Sequence, residues 1–101
     1  MAEKVNIVIP AIKIDDELLK CLKKINKINY SNFFVTIVLD QQEKNKLPKF
    51  KYKVNKLIVG KINMSTKRNI AVKKFKSKYI AFIDSDAYPN KNWLKLVIKY
   101  L

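Results

Sequence analysis

The sequence predicts an α/β fold, a parallel sheet of about four strands in the order 3-2-1-4 with helices on both faces. Three observations predict it. Apolar, β-branched runs alternate with segments whose apolar residues recur at helical spacing. The runs lack the polar alternation of half-exposed strands, as strands buried on both faces do. Three carboxylates, Asp40, Asp84 and Asp86, stand just beyond the carboxyl ends of such runs, where open parallel sheets bind ligands.

Residues 5–9 form the first run, closed by Pro10. Asp15, Asp16 and Glu17 then put negative charge where a helix begins, and Leu18, Cys21, Leu22, Ile25 and Ile28 repeat on one side while Lys20, Lys23, Lys24 and Lys27 face outward. Phe33–Leu39 is a second strand ending at Asp40, followed by a polar loop over 41–53. A third, weaker strand over 54–59 is stopped by Gly60. Ser65 or Thr66 is expected to cap a helix through Phe75 whose apolar side is Ile70, Ala71 and Phe75. The fourth strand, 79–83, runs into Asp84-Ser85-Asp86, and Trp93, Leu94, Val97, Ile98 and Leu101 make a last amphipathic segment. The crossovers are expected to be right-handed, and if the first strand is followed outward by the second and third and the chain then crosses back to put the fourth beside the first, the crevice opens between strands one and four.

Composition bounds the function. At 101 residues the chain is one domain, 1–101, which excludes a two-domain enzyme. Gly60 is the sole glycine, so neither a G-x-G-x-x-G fingerprint nor a P-loop can be written. Without histidine and with one cysteine, the chain has no His-ligated zinc, Cys₄ cluster, Ser-His-Asp triad or internal disulfide. Cys21, among Leu18, Leu22 and Ile25, reads as a reduced core thiol. No cleavable leader and no apolar run long enough to span a bilayer is expected, which places the chain in the cytoplasm or at the inner membrane surface. The 22 Lys+Arg against 8 Asp+Glu give a net charge of +14 and favour anionic partners. The positives are spread along the whole chain, however, and all but Arg68 are lysine, which does not read base edges as arginine does.

Of the eight acids, those after strands carry the chemistry. Asp84 and Asp86, one residue apart, suit a hard divalent cation that keeps waters and bridges a diphosphate, provided the backbone bends after Ile83. The same D-x-D spacing is also how Asp and Ser end a strand.

Taken in order, Val5-Asn6-Ile7-Val8-Ile9-Pro10, the acidic helix, Phe33–Leu39 with Asp40, Ser65-Thr66-Lys67-Arg68-Asn69-Ile70-Ala71 and Tyr79-Ile80-Ala81-Phe82-Ile83-Asp84-Ser85-Asp86 resemble the inverting family-two glycosyltransferases of GT-A fold. The resemblance covers essentially the whole chain and corresponds to their amino-terminal, nucleotide-binding half. It implies a transferase that takes a nucleotide-diphosphate sugar, with Mn²⁺ or Mg²⁺ as cofactor and a cell-envelope glycan or lipid-linked acceptor. By the same resemblance Pro10 and Ala11 wall the nucleobase, Asp40 accepts a hydrogen bond from it, and Arg68 lies over the nucleotide. Asp84 approaches the ribose and metal-bound waters, and Asp86 ligates the metal. The chain departs from the family where Gln41, Gln42 and Glu43 replace the usual acid, glycine and serine. It also carries no acid after Asp86 that could serve as the family's general base, and members normally run to more than twice this length, so it reads as an amino-terminal fragment.

Two other readings remain open: a non-catalytic nucleotide-binding module or remnant, and a basic nucleic-acid-binding domain drawing on Tyr30, Tyr52 and Tyr88. The second lacks clustered arginine, so no specific nucleic acid is expected. The unpaired sheet edge and the stripe from Trp93 to Leu101 predict a homodimer.

Overall fold

A computed structural model describes residues 4–28, 32–41, 47–85 and 87. The chain runs β1 (Val5–Pro10), α1 (Asp16–Ile25), β2 (Phe33–Leu39), β3 (Val54–Ile58), α2 (Met64–Lys74) and β4 (Tyr79–Phe82). The strands form one sheet in the order β3-β2-β1-β4, all parallel, with Ile7 opposite both Val35 and Ala81. This is the predicted architecture.

Strand β1 is buried from end to end and β2 from Phe34 onward, because each of their faces is covered by a different helix. Val5, Ile7 and Ile9 with Val35, Ile37 and Leu39 pack against Leu18, Cys21, Leu22 and Ile25 of α1. Side chains alternate across a strand, so Val8 and Val38 point the other way and meet Ala71 of α2. On that second face lie Asn6 and Thr36, fully buried polar residues. The Thr36 hydroxyl donates to Asn6 Oδ1 at 2.8 Å, and Asn6 Nδ2 donates to the Phe75 carbonyl at 2.9 Å, tying the end of α2 to the sheet.

Helix α1 starts as expected. Asp15 accepts from the Leu18 amide at 2.9 Å, acids fill the first turn and Lys23 and Lys24 the last, which complements the helix dipole. Helix α2 does not start where expected. Its cap is Asn63, whose Oδ1 accepts from both the amide and the hydroxyl of Thr66 at 2.8 Å, so Thr66 is the partner of the cap and Ser65 lies inside the first turn. The helix ends at Lys74, and the side that it buries is Lys67 and Ala71 rather than Ile70, Ala71 and Phe75. Strands β3 and β4 each end one residue before the predicted limit, although Val59 and Ile83 still donate to Leu39 and Val8 at 3.0 and 3.2 Å. Gly60, at a φ of 85°, occupies the left-handed region that ends β3.

Residues 47–53 have no regular structure, but they are anchored. Tyr52 packs between Phe33 and Phe50, with ring centroids 5.2 and 5.3 Å away, and its hydroxyl donates to the Leu22 carbonyl at 2.7 Å. Tyr52 is therefore part of the cover over α1 and not an exposed platform for bases; Tyr30 and Tyr88 lie outside the described residues. Burial, with the nearby Cys21 thiol, pushes the Tyr52 hydroxyl up from its ordinary value. Tyr52→Phe should cost about 1 kcal/mol at neutral pH, the usual worth of such a bond. Because the folded-state pKa lies above the unfolded one, the tyrosine's contribution is complete below about pH 10 and is lost as pH rises beyond it. Urea melts should show the gap between the two proteins closing in that range; a gap independent of pH would count against the argument.

No helix among the described residues is long and apolar enough to cross a membrane. The amphipathic segment beginning at Trp93 lies outside the described residues.

Candidate functional site

The carboxyl ends of β1, β2 and β4 come to one edge of the sheet, and the first turns of α2 reach across them. The end of β1 is drawn toward β2 by backbone bonds: Ala11 donates to the Val38 carbonyl at 2.8 Å and Asp40 to the Ile12 carbonyl at 3.3 Å. Pro10 and Ala11 are buried at this junction, while the Asp40 side chain stays 15% exposed.

Lys67 is the residue that sequence reasoning missed. It is 1% exposed, and its ammonium donates to the Ala11 carbonyl at 2.9 Å and forms an ion pair with Asp40 Oδ1. A buried ammonium is tolerated only when paired and hydrogen-bonded, and here both strand ends supply the partners. One signal could have found it. Lys67 stands four residues before Ala71, the small apolar residue of α2, so both lie on the same side of the helix.

The next residue, Arg68, turns about 100° around the helix and reaches β4 instead. Its Nη2 lies 3.4 Å from Asp84 Oδ1, its guanidinium sits 5.6 Å over the Phe82 ring, and its Nε is buried without a hydrogen-bond partner among the described residues. Asp84 is 71% exposed and held from the opposite side by α1, where the Cys21 thiol approaches the Asp84 carbonyl at 3.9 Å. Cys21 is buried and free of any disulfide, as expected of a core thiol.

Two consecutive residues of α2 thus clamp two carboxylates at the ends of different strands. The structure brings Pro10, Ala11 and Asp40 together through Lys67, and Arg68 to Asp84. Asp86 lies outside the described residues, and among those described there is no group of three or more metal-ligating side chains. The exposed Asp84 carboxylate is an oxygen donor of the kind that Mg²⁺ or Mn²⁺ takes alongside waters.

The sequence matches the profile of glycosyl transferase family 2 over residues 6–101. The chain belongs to this family. Among solved structures, this glycosyltransferase domain is similar to S. aureus TarS 1–349, at 25% identity and a TM-score of 0.74, covering 96% of this chain and 32% of that one. The same protein in complex with UDP-GlcNAc matches with the same identity and TM-score over 30% of its length, and its complex with UDP over 31%. The domain therefore spans about a third of TarS 1–349 and 19% of the longer TarS chain that it also matches. No protein of curated function matches the sequence.

Proposed function

We propose that this family 2 domain binds a nucleotide-diphosphate sugar at the sheet edge between β1 and β4, for transfer of the sugar to an acceptor. The observation that carries the reading is the clamp: Lys67 and Arg68 hold Asp40 and Asp84 at the ends of β2 and β4, on either side of β1, in a family 2 fold. The TarS complexes with UDP-GlcNAc and UDP support the ligand class. In this reading Pro10 and Ala11 wall the base, and Asp40 accepts a hydrogen bond from it. Arg68 lies over the nucleotide, where its unpaired Nε and its guanidinium favour phosphate oxygens. Asp84 approaches the ribose, and Asp84 and Asp86 hold Mn²⁺ or Mg²⁺. A bound divalent cation there offsets the charge that builds on the departing diphosphate.

Calorimetric titration with UDP, GDP, dTDP and their sugars, with and without Mn²⁺, tests the reading. One nucleoside diphosphate should bind in a metal-dependent way. Since a hydrogen bond to a charged group is worth about 1.5–3 kcal/mol, Asp40→Ala should weaken it roughly ten- to a hundredfold. Absence of any nucleotide binding, or binding untouched by Asp40→Ala, would refute the assignment. Steep salt-dependent binding of DNA or RNA in its place would favour the nucleic-acid reading.

Pairing of two copies belongs to the same proposal. Strand β4 stands at the edge of the described sheet and its Phe82 is 47% exposed, an arrangement that a second copy would cover. Light scattering over a concentration series should show a dimer that Trp93→Asp disrupts; a monomer throughout would reject it.

A further inference from the structure

Lys67 is the largest fully buried side chain and the only buried basic one among the described residues. Its burial is not explained by stability, because a buried ion pair often does no better than apolar side chains of the same volume. What the pair does fix is the orientation of the Asp40 carboxylate. An ammonium has three donors, and here one goes to the Ala11 carbonyl and one to Asp40 Oδ1. As the anion of an ion pair, Asp40 is an acceptor only, with one oxygen occupied and part of its carboxylate still open.

Whatever edge meets that open oxygen must bring a donor. Uracil, thymine and guanine present a ring N–H in the middle of their pairing edge. Cytosine presents a ring nitrogen lone pair at the same place, which an anionic acceptor held opposite it repels, and its amino donor stands to one side, within reach only of a carboxylate that can turn. We propose that Lys67 is a positioning residue for base selection: by holding Asp40 as a one-oxygen acceptor, it admits bases with a ring N–H and turns cytosine away. This rests on the reading of Asp40 as the base contact, and it adds the residue that decides which bases that contact accepts.

UDP and CDP differ only at this edge, so their affinity ratio isolates the effect. Calorimetry on the whole chain with Mn²⁺ should show wild type preferring UDP by about tenfold or more, the worth of one charge-assisted hydrogen bond. In Lys67→Met the carboxylate is free to rotate and to accept from the cytosine amino group as well, so the ratio should fall to within about threefold. A residue with only a structural role would weaken both nucleotides alike and leave the ratio intact. A folded Lys67→Met that keeps the preference would overturn the inference while leaving the proposed function standing, as would a wild type that binds UDP and CDP equally. Binding of neither of these, nor of GDP or dTDP, would overturn both. Should Lys67→Met not fold, Lys67→Gln, which keeps an N–H for the Ala11 carbonyl without the charge, is read in the same way. Failure of both variants to fold would make Lys67 a structural residue and overturn the inference.

Discussion

Asp86→Ala should abolish the metal dependence of nucleotide binding, leaving affinities with and without Mn²⁺ equal. Hard divalent cations bind diphosphates through one or two carboxylates and retained waters, so removing one of two protein ligands leaves little to hold the ion. The remaining carboxylate is a poor substitute. Asp84 is 71% exposed and already engaged by Arg68 at 3.4 Å, so holding the cation by itself would put it in competition with that guanidinium. Calorimetric titration of UDP into wild type and variant, each with Mn²⁺ and with a chelator, reads the effect directly. The wild type should gain about tenfold or more from the metal, the equivalent of one charge-assisted contact. A variant that still responds to Mn²⁺ would remove Asp86 from the metal site. Loss of binding in the chelated state as well would point to a folding defect, which the melting curve would show.

Asn6→Leu should produce the largest loss of stability of any substitution considered for this chain. Asn6 is completely buried and bridges the Thr36 hydroxyl and the Phe75 carbonyl at 2.8 and 2.9 Å. Leucine is close to it in size but leaves both partners without their bond. At about 1–3 kcal/mol for each unsatisfied group, the loss sums to roughly 2–6 kcal/mol. A domain of this size has about 5–15 kcal/mol in all, so a substantial fraction of the variant would be unfolded at 37 °C. Adding Thr36→Val should recover part of the loss, because replacing both members of a pair by apolar groups removes the orphan as well as the bond. Urea denaturation of the single and double variants measures this. A loss below about 0.5 kcal/mol, or no recovery in the double variant, would show that the bridge is not what holds α2 to the sheet.

The strands, their order and the placement of Asp40 and Asp84 were legible in the chain because each depends on a local pattern. A short β-branched run reads as a buried strand wherever it occurs, an acid after it falls at the carboxyl edge, and the handedness of crossovers restricts the order to a few choices. The acidic start of α1 was legible for the same reason, since acids just before an apolar helical repeat suit the positive end of a helix, whereas the structure alone makes Asp15 the cap. The cap of α2 was not. Ser65, Thr66 and Asn63 are all competent, and their hydroxyls and carboxamide choose among themselves only once the helix is docked.

The sharper limit concerns residues whose meaning lies in a distant partner. Tyr52 looked exposed in a polar stretch, yet its ring fills a gap between Phe33 and Phe50 and its hydroxyl finds the Leu22 carbonyl thirty residues away. Lys67 looked like one more lysine among 22 basic residues, and only its place four residues before Ala71 sets it on the covered side of α2, without saying what pairs its charge. Its partners, the Ala11 carbonyl and the Asp40 carboxylate, come from two other strands, and only the parallel sheet sets them side by side within reach of one helix. Local patterns of polarity report which side of an element is covered; they do not report what covers it. Chain composition and spacing therefore settle the layers and bring Asp40 and Asp84 to one edge, whereas the charge pairing at that edge arises from contacts between segments far apart in sequence, which exist only once the sheet has closed.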